Sequence, residues 1–312
     1  MSVRPSLSRA CAALLLAAGT ALGCAEAEEG DGAPAGVTQD PIVQTPSTLS
    51  FTTTRVAEVR RCQTMRRSDC ADVDADGLTD AWEDAVAAHY EPRLELDEQE
   101  KGLGDANFKV GTATRVVARK GDASHVVVFF GFAFSEDYGS CTFTDHHGDV
   151  ERAVIELERA PGTDGDVKMI KAYTAAHEGD PTDASHVYEG DKLTKELEFV
   201  SENGAPRWLL YTSRNKHGTY ANKKTCESKS IPCIADYCAS SNKVNRNDYR
   251  RLPLLLNAGE PEHHRDSSWA RFGYPNADAW QDKKFCGVAT GGDCDSAPRS
   301  TFIKDPFSKK DI

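Results

Sequence analysis

The sequence predicts a mainly β protein, built as a sandwich of antiparallel sheets. From residue 107 onward, short apolar segments alternate with turn residues, as in folds made of many short strands. The pair Asn203-Gly204 separates two such segments and is a strong signal for a tight hairpin turn. Few stretches show the 3.6-residue period of an amphipathic helix. A two-sheet β fold is therefore expected over most of the chain.

The first predicted hairpin joins residues 112–118 to residues 125–134 across Lys120-Gly121-Asp122. Its second strand contains Val126–Phe134, which is continuously apolar and so predicts a strand covered on both faces. Further strands are expected at residues 151–158, 167–175, 185–188, 197–200 and 207–213. One helix is expected after residue 80, with Val86 and Tyr90 as core contacts and Pro92 as its end.

Charge and composition exclude some classes of partner. The chain has 312 residues, 39% of them hydrophobic and 28% charged, with a formal net charge of −12. A nucleic-acid binder would need a basic face, so none is expected here. The oligomeric state is not predicted by any feature of the sequence.

The N-terminal residues predict export. Residues 1–23 read as a signal peptide, with Arg4 and Arg9 before an apolar run too short to span a bilayer. The run ends in Ala21-Leu22-Gly23-Cys24, which resembles a bacterial lipoprotein cleavage box with Cys24 as the lipidated residue. That resemblance implies a membrane partner through the lipid and an outer-membrane location in the cell envelope. Periplasmic or secreted release is the alternative.

Domain boundaries follow from composition. Residues 24–49 are polar and rich in small residues, which predicts a lipidated, solvated tether. Residues 50–92 are expected to form a loop and helix segment, and residues 93–312 the β-sandwich domain.

The cysteines predict disulfide-braced loops. Behind the signal peptide an even number of cysteines remains, as expected in an oxidising compartment. They are Cys62, Cys70, Cys141, Cys226, Cys233, Cys238, Cys286 and Cys294. Short-range closure favours Cys62 with Cys70 and Cys286 with Cys294, and places Cys141 with the 226–238 cluster. A zinc site in that cluster is the alternative, although paired C-x2-C spacings are absent.

An acidic twelve-residue loop predicts calcium binding. Residues 72–83 fit the spacing D-x-D-x-D-G-x-x-D-x-x-E, with Gly77 at the sharp turn. The expected ligands are Asp72, Asp74, Asp76, the carbonyl of Leu78, Asp80 and Glu83. The loop resembles thrombospondin type 3 and EF-hand-like repeats, but no amphipathic helix precedes it. A structural calcium ion is expected; an acidic turn that begins the helix is the alternative.

A second cluster of possible ligands lies at the start of a predicted strand. His147, Asp149 and Glu151 are spaced two apart, so on a strand their side chains share one face. An imidazole and two carboxylates suit a divalent cation. His217 is a further candidate ligand from a distant loop, beside Gly218, and Asp137 or Asp145 would supply another oxygen. The alternative is a set of ordinary solvated polar residues.

Three stretches of residues 80–294 together resemble the vacuolar protein sorting-associated protein 62 family in its bacterial exported form. The carriers are residues 83–94, which end in HYEPRL; His147-Gly148-Asp149-Val150-Glu151, similar to H-x-G-D-W-E; and residues 213–220, SRNKHGTY, similar to S-x-x-K-H-G-x-Y. Val150 departs from the pattern, because tryptophan is usual there. The same core resembles, more distantly, the necrosis-inducing protein family, which implies a divalent ion held at one end of a β-sandwich. Neither resemblance implies a reaction.

Two functions remain open at this point. The first is a calcium-stabilised binding module of the cell envelope, with a second divalent cation that engages a glycan or a lipid headgroup. The alternative is a metal-dependent hydrolase, with Glu151 or His147 as the base toward a metal-bound water. A purely structural role is the third possibility, and whether the protein is an enzyme is uncertain.

Overall fold

The computed structural model confirms a mainly β chain. It describes residues 42–43, 48–50, 70–97, 99–105, 108, 110–119, 122–139, 146–159, 165–178, 183–202, 205–227, 236, 238, 255–257 and 298–311, with the backbone alone at 42–43, 123, 146–147, 255–257, 298–300 and 311. The strands are β1 Ile42–Val43, β2 Thr48–Leu49, β3 Arg93–Glu95, β4 Val110–Arg119, β5 Asp122–Asp137, β6 His146–Arg159, β7 Val167–Thr174, β8 His186–Glu189, β9 Glu198–Glu202, β10 Ala205–Thr212, β11 Thr219–Tyr220, β12 Leu255–Asn257, β13 Lys304–Asp305 and β14 Lys310–Asp311. The helices are α1 Asp80–Tyr90, α2 Lys192–Lys195, α3 Lys223–Glu227 and α4 Pro298–Ile303, with a 3-10 helix at Lys101–Gly104.

The larger sheet is seven-stranded and centred on two long strands. Its order is β12-β4-β5-β6-β7-β2, and β8 also pairs with β7. All pairs are antiparallel except β12 with β4. The expected hairpin is therefore confirmed as β4 and β5. The β5–β6 register sets Phe132 opposite Glu151 and Phe134 opposite Asp149, so this ladder fixes where the two acids lie.

The smaller sheet is five-stranded and contains the loop within residues 213–220, the third of the stretches quoted above. Strands β1, β9, β10 and β11 follow one another antiparallel, and β3 pairs with β10 in parallel. The loop between β10 and β11 contains His217. It returns the chain to pair Thr212 with Thr219.

The main core is shared by both sheets and α1. One cluster of buried apolar side chains contains Phe130 and Phe132 of β5 together with Trp208 and Leu210 of β10 and Val86 of α1. The other face of β5 presents Phe129 to a second cluster. Covering both faces explains the continuous apolar run, and each fully buried large side chain contributes about 1.5–3 kcal/mol of burial free energy.

Helix α1 behaves as its pattern predicts. Val86 is 0% exposed and Tyr90 3% exposed. The Tyr90 hydroxyl donates a hydrogen bond of 2.9 Å to the carbonyl of Val167, which ties the helix to β7. Pro92 follows the last helical turn, where its ring prevents continuation. The core contacts expected of Val86 and Tyr90 are confirmed.

The C-terminal segment, in which no individual strand or helix was predicted, covers the second face of the larger sheet. The ring of Phe302 lies over Gly131 of β5, where an added Cβ would meet its Cζ at 2.5 Å. Arg115 donates to the carbonyl of Phe302 at 2.9 Å, and Arg152 to that of Lys304 at 2.7 Å. Cationic side chains of β4 and β6 thus hold this segment in place.

At the N-terminus the structure differs from the expected boundary. Ile42 and Val43 pair with β9, and Thr48 and Leu49 pair with β7. These β-prone residues complete sheet edges whose backbone groups would otherwise lack partners, so the paired chain begins before residue 50. The predicted signal peptide, the predicted lipidation site Cys24 and the first part of the predicted tether lie outside the described residues.

The cysteines that the structure describes are disulfide-bonded. Cys226 and Cys238 form a disulfide with a Cα–Cα distance of 5.6 Å, and Cys70 is disulfide-bonded as well. The remaining cysteines lie outside the described residues.

In the part of the chain that the structure describes, no helix has the length and apolar character needed to cross a membrane.

We expect Gly131→Ala to lower the free energy of unfolding by about 1–3 kcal/mol, because the new methyl group overlaps the fully buried Phe302 ring. Urea denaturation measures the change. Gly104→Ala is the matched control, since nothing lies within 4 Å of its added Cβ, and we expect a change within about 0.5 kcal/mol. Equal effects of the two substitutions would contradict this packing.

Candidate functional site

The acidic loop brings three of its predicted calcium ligands together. Carboxylate oxygens of Asp72, Asp74 and Asp76 lie within 4.8 Å of one another. The sharp turn uses left-handed backbone at Ala75, with φ 59°, and at Gly77, with φ 91°. Glycine adopts this conformation without strain, as the motif predicts. Within the described residues this is the one group of three such ligand atoms at that spacing.

Hydrogen bonds from backbone amides hold the loop closed and dock it on the larger sheet. Asp72 accepts from the amides of Asp76 and Gly77 at 3.1 and 3.2 Å. Asp76 accepts from Leu78 with one oxygen and from Ala118 of β4 with the other, at 2.8 and 2.7 Å. The β4–β5 register shifts at Ala118/Arg119, and this irregular point of the ladder is where the loop attaches.

The clustering has an electrostatic cost. Burial, with the nearby charge of Asp76, raises the pKa of Asp74 to about 6. Burial also raises the pKa of Asp76. Arg115 lies close enough to both carboxylates to lower these values in part. A bound cation would favour the ionised forms more strongly.

The other predicted ligands of the loop lie around this triad. Asp80 accepts a hydrogen bond of 3.1 Å from the amide of Val73 and begins α1. Glu83 lies in the first turn of α1 and is 1% exposed. Leu78 is buried in the main core. Their assignment as ligands remains a prediction.

Strand β6 sets Asp149 and Glu151 on one face of the larger sheet. Ala153, Ile155 and Leu157 continue the same alternation and belong to the main core, so the two acids lie at the end of an inward-facing row. Asp149 is 6% exposed and Glu151 half-buried. The shared face expected from their spacing is therefore present.

The structure brings His217 to Asp149. Nδ1 of His217 lies 3.3 Å from Oδ2 of Asp149, and Nε2 lies 3.7 Å from Oε2 of Glu100. The ring is fully buried and stacks on Phe134, with centroids 3.9 Å apart. Burial disfavours the protonated ring, but the two carboxylates outweigh it and raise the pKa of His217 to about 10. The histidine is an imidazolium held between two acids.

The loop 213–218 positions this ring through its own backbone. The amide of Ser213 donates to the carbonyl of Gly218, and that of His217 to the carbonyl of Ser213, at 2.9 and 3.0 Å. Asn215 and His217 both adopt left-handed backbone, with φ 65° and 58°. The amide of Asn215 donates to Glu100, which also accepts from Gly102 at 3.1 Å. The 3-10 helix and the signature loop are thus joined at Glu100.

Glu151 lies in a strongly negative environment. Its own burial, together with the carboxylates of Asp149, Asp236 and Asp137, raises the pKa of Glu151 well above its ordinary value. We name these four residues the acidic cluster: Asp137, Asp149, Glu151 and Asp236. Burial and the neighbouring like charges together favour the neutral form of Glu151.

Two predicted members of this site lie beyond what the structure describes. The backbone of His147 pairs with Glu136, but its side chain is outside the described atoms, as is the whole of Asp145. Asp137 is present, and one of its oxygens accepts from the amide of Gly139 at 2.6 Å. Among the described residues, the ligand atoms of Asp149, Glu151 and His217 do not all lie within 4.8 Å of one another, as those of the three loop aspartates do.

Sequence reasoning missed three residues of this region. Asp236 is 0% exposed, lies 2.7 Å from Nε2 of His177, and accepts from the hydroxyl of Tyr220. Burial opposes the ionisation of Asp236, but His177 and Tyr220 lower its pKa. Glu100 is the third missed residue. Asp236 and Glu100 stand in turn-rich sequence with no local pattern. Asp236 lies close to Gly218, where an added Cβ would overlap its carboxylate, but a glycine in the sequence does not name the side chain that approaches it.

Comparison with known proteins does not place the chain in a family. No protein-family model matches it, and no curated protein matches it. A solved structure described as "Toxin fold for microbial attack and plant defense" aligns over 59% of this chain and 79% of that chain, at 11% identity and a TM-score of 0.30. No conclusion about fold or function follows at that score.

We expect the contribution of His217 to stability to vanish at high pH in chelator-treated protein. Its pKa is about 10 in the fold against an ordinary 6.5, so the stabilisation is fully present below about pH 6.5 and is lost as the pH rises through about 10. The difference in unfolding free energy between the wild type and His217→Gln should shrink across that window. A difference that grows with pH would contradict the ion pair. Histidine NMR titration provides a check, with one imidazole protonated at about pH 8.

Proposed function

We propose that this chain is an exported, lipid-anchored binding module of the bacterial cell envelope that uses two divalent-cation sites. Calcium in the acidic loop stabilises the fold, and a second cation at the acidic cluster engages a glycan or a lipid headgroup. Cys24 is the lipidated residue and residues 24–49 include the tether to the outer membrane. The sequence features of the first 49 residues support this location.

The environment of Glu151 carries the second site. Its burial and the negative charges of Asp149, Asp236 and Asp137 all disfavour the ionisation of Glu151. A divalent cation among Asp149, Glu151 and their neighbours offsets that repulsion. Hard oxygen ligands at the end of a rigid sheet suit such an ion.

His147 and His217 have different roles in this proposal. His147 lies two residues before Asp149 on the same strand and is a candidate ligand. His217 has both ring nitrogens directed at carboxylates, at 3.3 and 3.7 Å. Its geometry favours holding Asp149 in position over binding the ion itself.

The acidic loop fits calcium through its donor set. Three carboxylates lie within 4.8 Å, and their pKa values are raised where they are buried together. Calcium would neutralise this charge, with Leu78, Asp80 and Glu83 completing the ligands as the spacing predicts. Because Asp76 also binds the amide of Ala118, an ordered loop would fix the N-terminal segment on β4.

We also propose a more specific fold than a mainly β chain. The two sheets, with a common core between them, support an antiparallel β-sandwich over residues 93–312, preceded by the loop and helix segment of residues 50–92. The Cys226–Cys238 bond supports disulfide bracing of the loops.

We propose membership of the vacuolar protein sorting-associated protein 62 family on the sequence signatures alone. Val150, where that family has tryptophan, packs in the second core cluster.

A metal-dependent hydrolase is the second candidate function. Glu151 favours this function, because a carboxyl group whose pKa is raised well above its ordinary value suits general acid or base catalysis. In that case Asp149→Ala would abolish turnover of an envelope substrate while the fold stays intact.

We expect calcium at about 1 mM, within the range of extracellular modules, to raise the melting temperature of the chelator-washed protein. Asp72→Asn should remove that rise, because the triad loses a ligand charge. Asp191→Asn is the control and should keep the rise, because Asp191 is an exposed residue that pairs with Lys195. A calcium-independent melting temperature in the wild type would refute the calcium site.

We expect the wild type, loaded with Mn²⁺ in excess calcium, to retain one manganese ion per chain at the second site. We expect the Glu151→Gln and Asp149→Asn variants to lose this ion. Glu189→Gln, at an exposed acid of β8, is the control. Metal analysis after desalting measures the count. If the site variants and the wild type hold equal manganese, the second cation site is wrong.

A further inference from the structure

The last residues of β4 are held by segments from outside the larger sheet. The β4–β5 ladder shifts register between Ala118 and Arg119. On the other edge of the strand, the described pairing with β12 ends at Thr114. Two segments that are far apart in sequence bind this end of β4: the acidic loop and the C-terminal segment, residues 298–311.

The acidic loop binds the end of β4 through one carboxylate. Oδ2 of Asp76 accepts a hydrogen bond of 2.7 Å from the amide of Ala118, and its Oδ1 accepts from the amide of Leu78 at 2.8 Å. The same carboxylate belongs to the three that lie within 4.8 Å of one another. An ion held by these carboxylates would therefore fix the group that binds β4.

The C-terminal segment is bound by two arginines of the same stretch of β4. Arg115 donates to the carbonyl of Phe302 at 2.9 Å. Nη2 of Arg119, the residue after Ala118, lies 3.1 Å from Oδ2 of Asp305. The contacts of the loop and of the C-terminal segment thus fall within five consecutive residues of one strand.

Asp305 is the residue on which the C-terminal segment turns. It is 0% exposed and accepts from the amide of Phe307 at 2.9 Å and from the hydroxyl of Ser308 at 2.6 Å. Arg119 also lies 3.1 Å from the buried carboxylate of Glu156. A buried carboxylate that loses its cation is strongly destabilising, so docking of this segment depends on where Arg119 is held.

We propose that the acidic loop and the C-terminal segment close on the end of β4 as one clasp, so that calcium bound in the loop stabilises the docking of the C-terminal segment. The coupling rests on the calcium site proposed above and names what that ion controls. An ion that orders the loop fixes Ala118, and the neighbouring Arg119 then keeps the position in which it meets Asp305. When calcium is scarce, the segment opens more often and uncovers the apolar second face of the larger sheet, around Phe129.

One electrostatic contribution opposes the clasp. The charge of Arg115 interacts with the carboxylates of Asp74 and Asp76, so a calcium ion among them repels Arg115. Arg115 belongs to β4 whether the C-terminal segment is docked or open. The repulsion is therefore present in both states and largely cancels in the docking equilibrium, whereas the order that the ion gives to the loop does not.

Hydrogen–deuterium exchange of the full chain tests the clasp, because exchange reports local opening. Calcium at about 1 mM should slow the exchange of residues 298–311 at least about 5-fold, the lower end of typical coupling between two sites. Residues 186–195, which include β8 and α2, are the internal reference and should change less. Calorimetric titration with calcium measures ion binding separately.

Substitutions on both sides of the clasp identify its contacts. Asp305→Asn removes the ion pair with Arg119, so residues 298–311 should exchange faster and gain less protection from calcium. Lys310→Gln, at an exposed residue of the same segment, is the control and should match the wild type. In chelator, Asp76→Ala should speed the exchange of residues 298–311. Asp74→Ala, in the same loop, should do so much less, because Asp76 still binds Ala118.

The outcomes distinguish the clasp from the calcium site. If the wild type binds calcium but the exchange of residues 298–311 is unchanged or faster, or if residues 186–195 are slowed equally, the clasp is wrong and the calcium site stands. Equal effects of Asp76→Ala and Asp74→Ala in chelator also overturn the clasp. If the wild type binds no calcium, both the calcium site and its control of the C-terminal segment fail.

Discussion

A buried imidazole between two carboxylates organises one end of this molecule. His217, Asp149 and Glu100 come from the β10–β11 loop, from β6 and from the 3-10 helix region, and they meet in a volume that is almost free of solvent. A buried charge without its partner costs about 3–5 kcal/mol. The three segments therefore keep one mutual arrangement, and the acids of β6 gain a fixed direction. The stacking of Phe134 on His217 adds a flat apolar wall behind the ring.

The acidic loop is attached by the same physical means. In each case a carboxylate of an irregular segment accepts a hydrogen bond from a backbone amide of another segment: Asp76 from Ala118 near the end of β4, and Glu100 from Asn215 in the β10–β11 loop. Carboxylates suit this role because they accept several hydrogen bonds and gain from each when ionised. Both candidate cation sites thus lie where an irregular, strained segment meets a regular strand. The sheet supplies rigidity, and the loops supply closely placed charges.

Local patterns in the sequence predicted much of the fold. The unbroken apolar run of Val126–Phe134 indicated a strand covered on both faces, and the period of two in β6 set Asp149 and Glu151 on one face. The loop triad followed from a spacing that only a tight acidic turn satisfies. In each case the determining residues are close in sequence.

The partners across the chain were not predictable. Glu100 and His217 are more than one hundred residues apart, and only the folded structure shows that the carboxylate of Glu100 lies against the imidazole ring of His217. Asp236 and His177 carry no neighbouring motif, so their pairing had no sequence signal. The cover that Phe302 provides over Gly131 was missed because a glycine in a strand does not indicate which side chain approaches it. Ile42–Val43 and Thr48–Leu49 were assigned to the tether because a two-residue strand has no readable period.

Anomalous diffraction from crystals of the full chain grown with Mn²⁺ and calcium is the most direct test of the central claim, which is that the buried His217–Asp149 pair presents the acids of β6 to a cation. The account predicts a manganese peak within ligand distance, about 2–2.6 Å, of both Asp149 and Glu151, with His217 still paired to Asp149. The absence of any peak there, or a manganese ion bound to His217 in place of that pair, would contradict it.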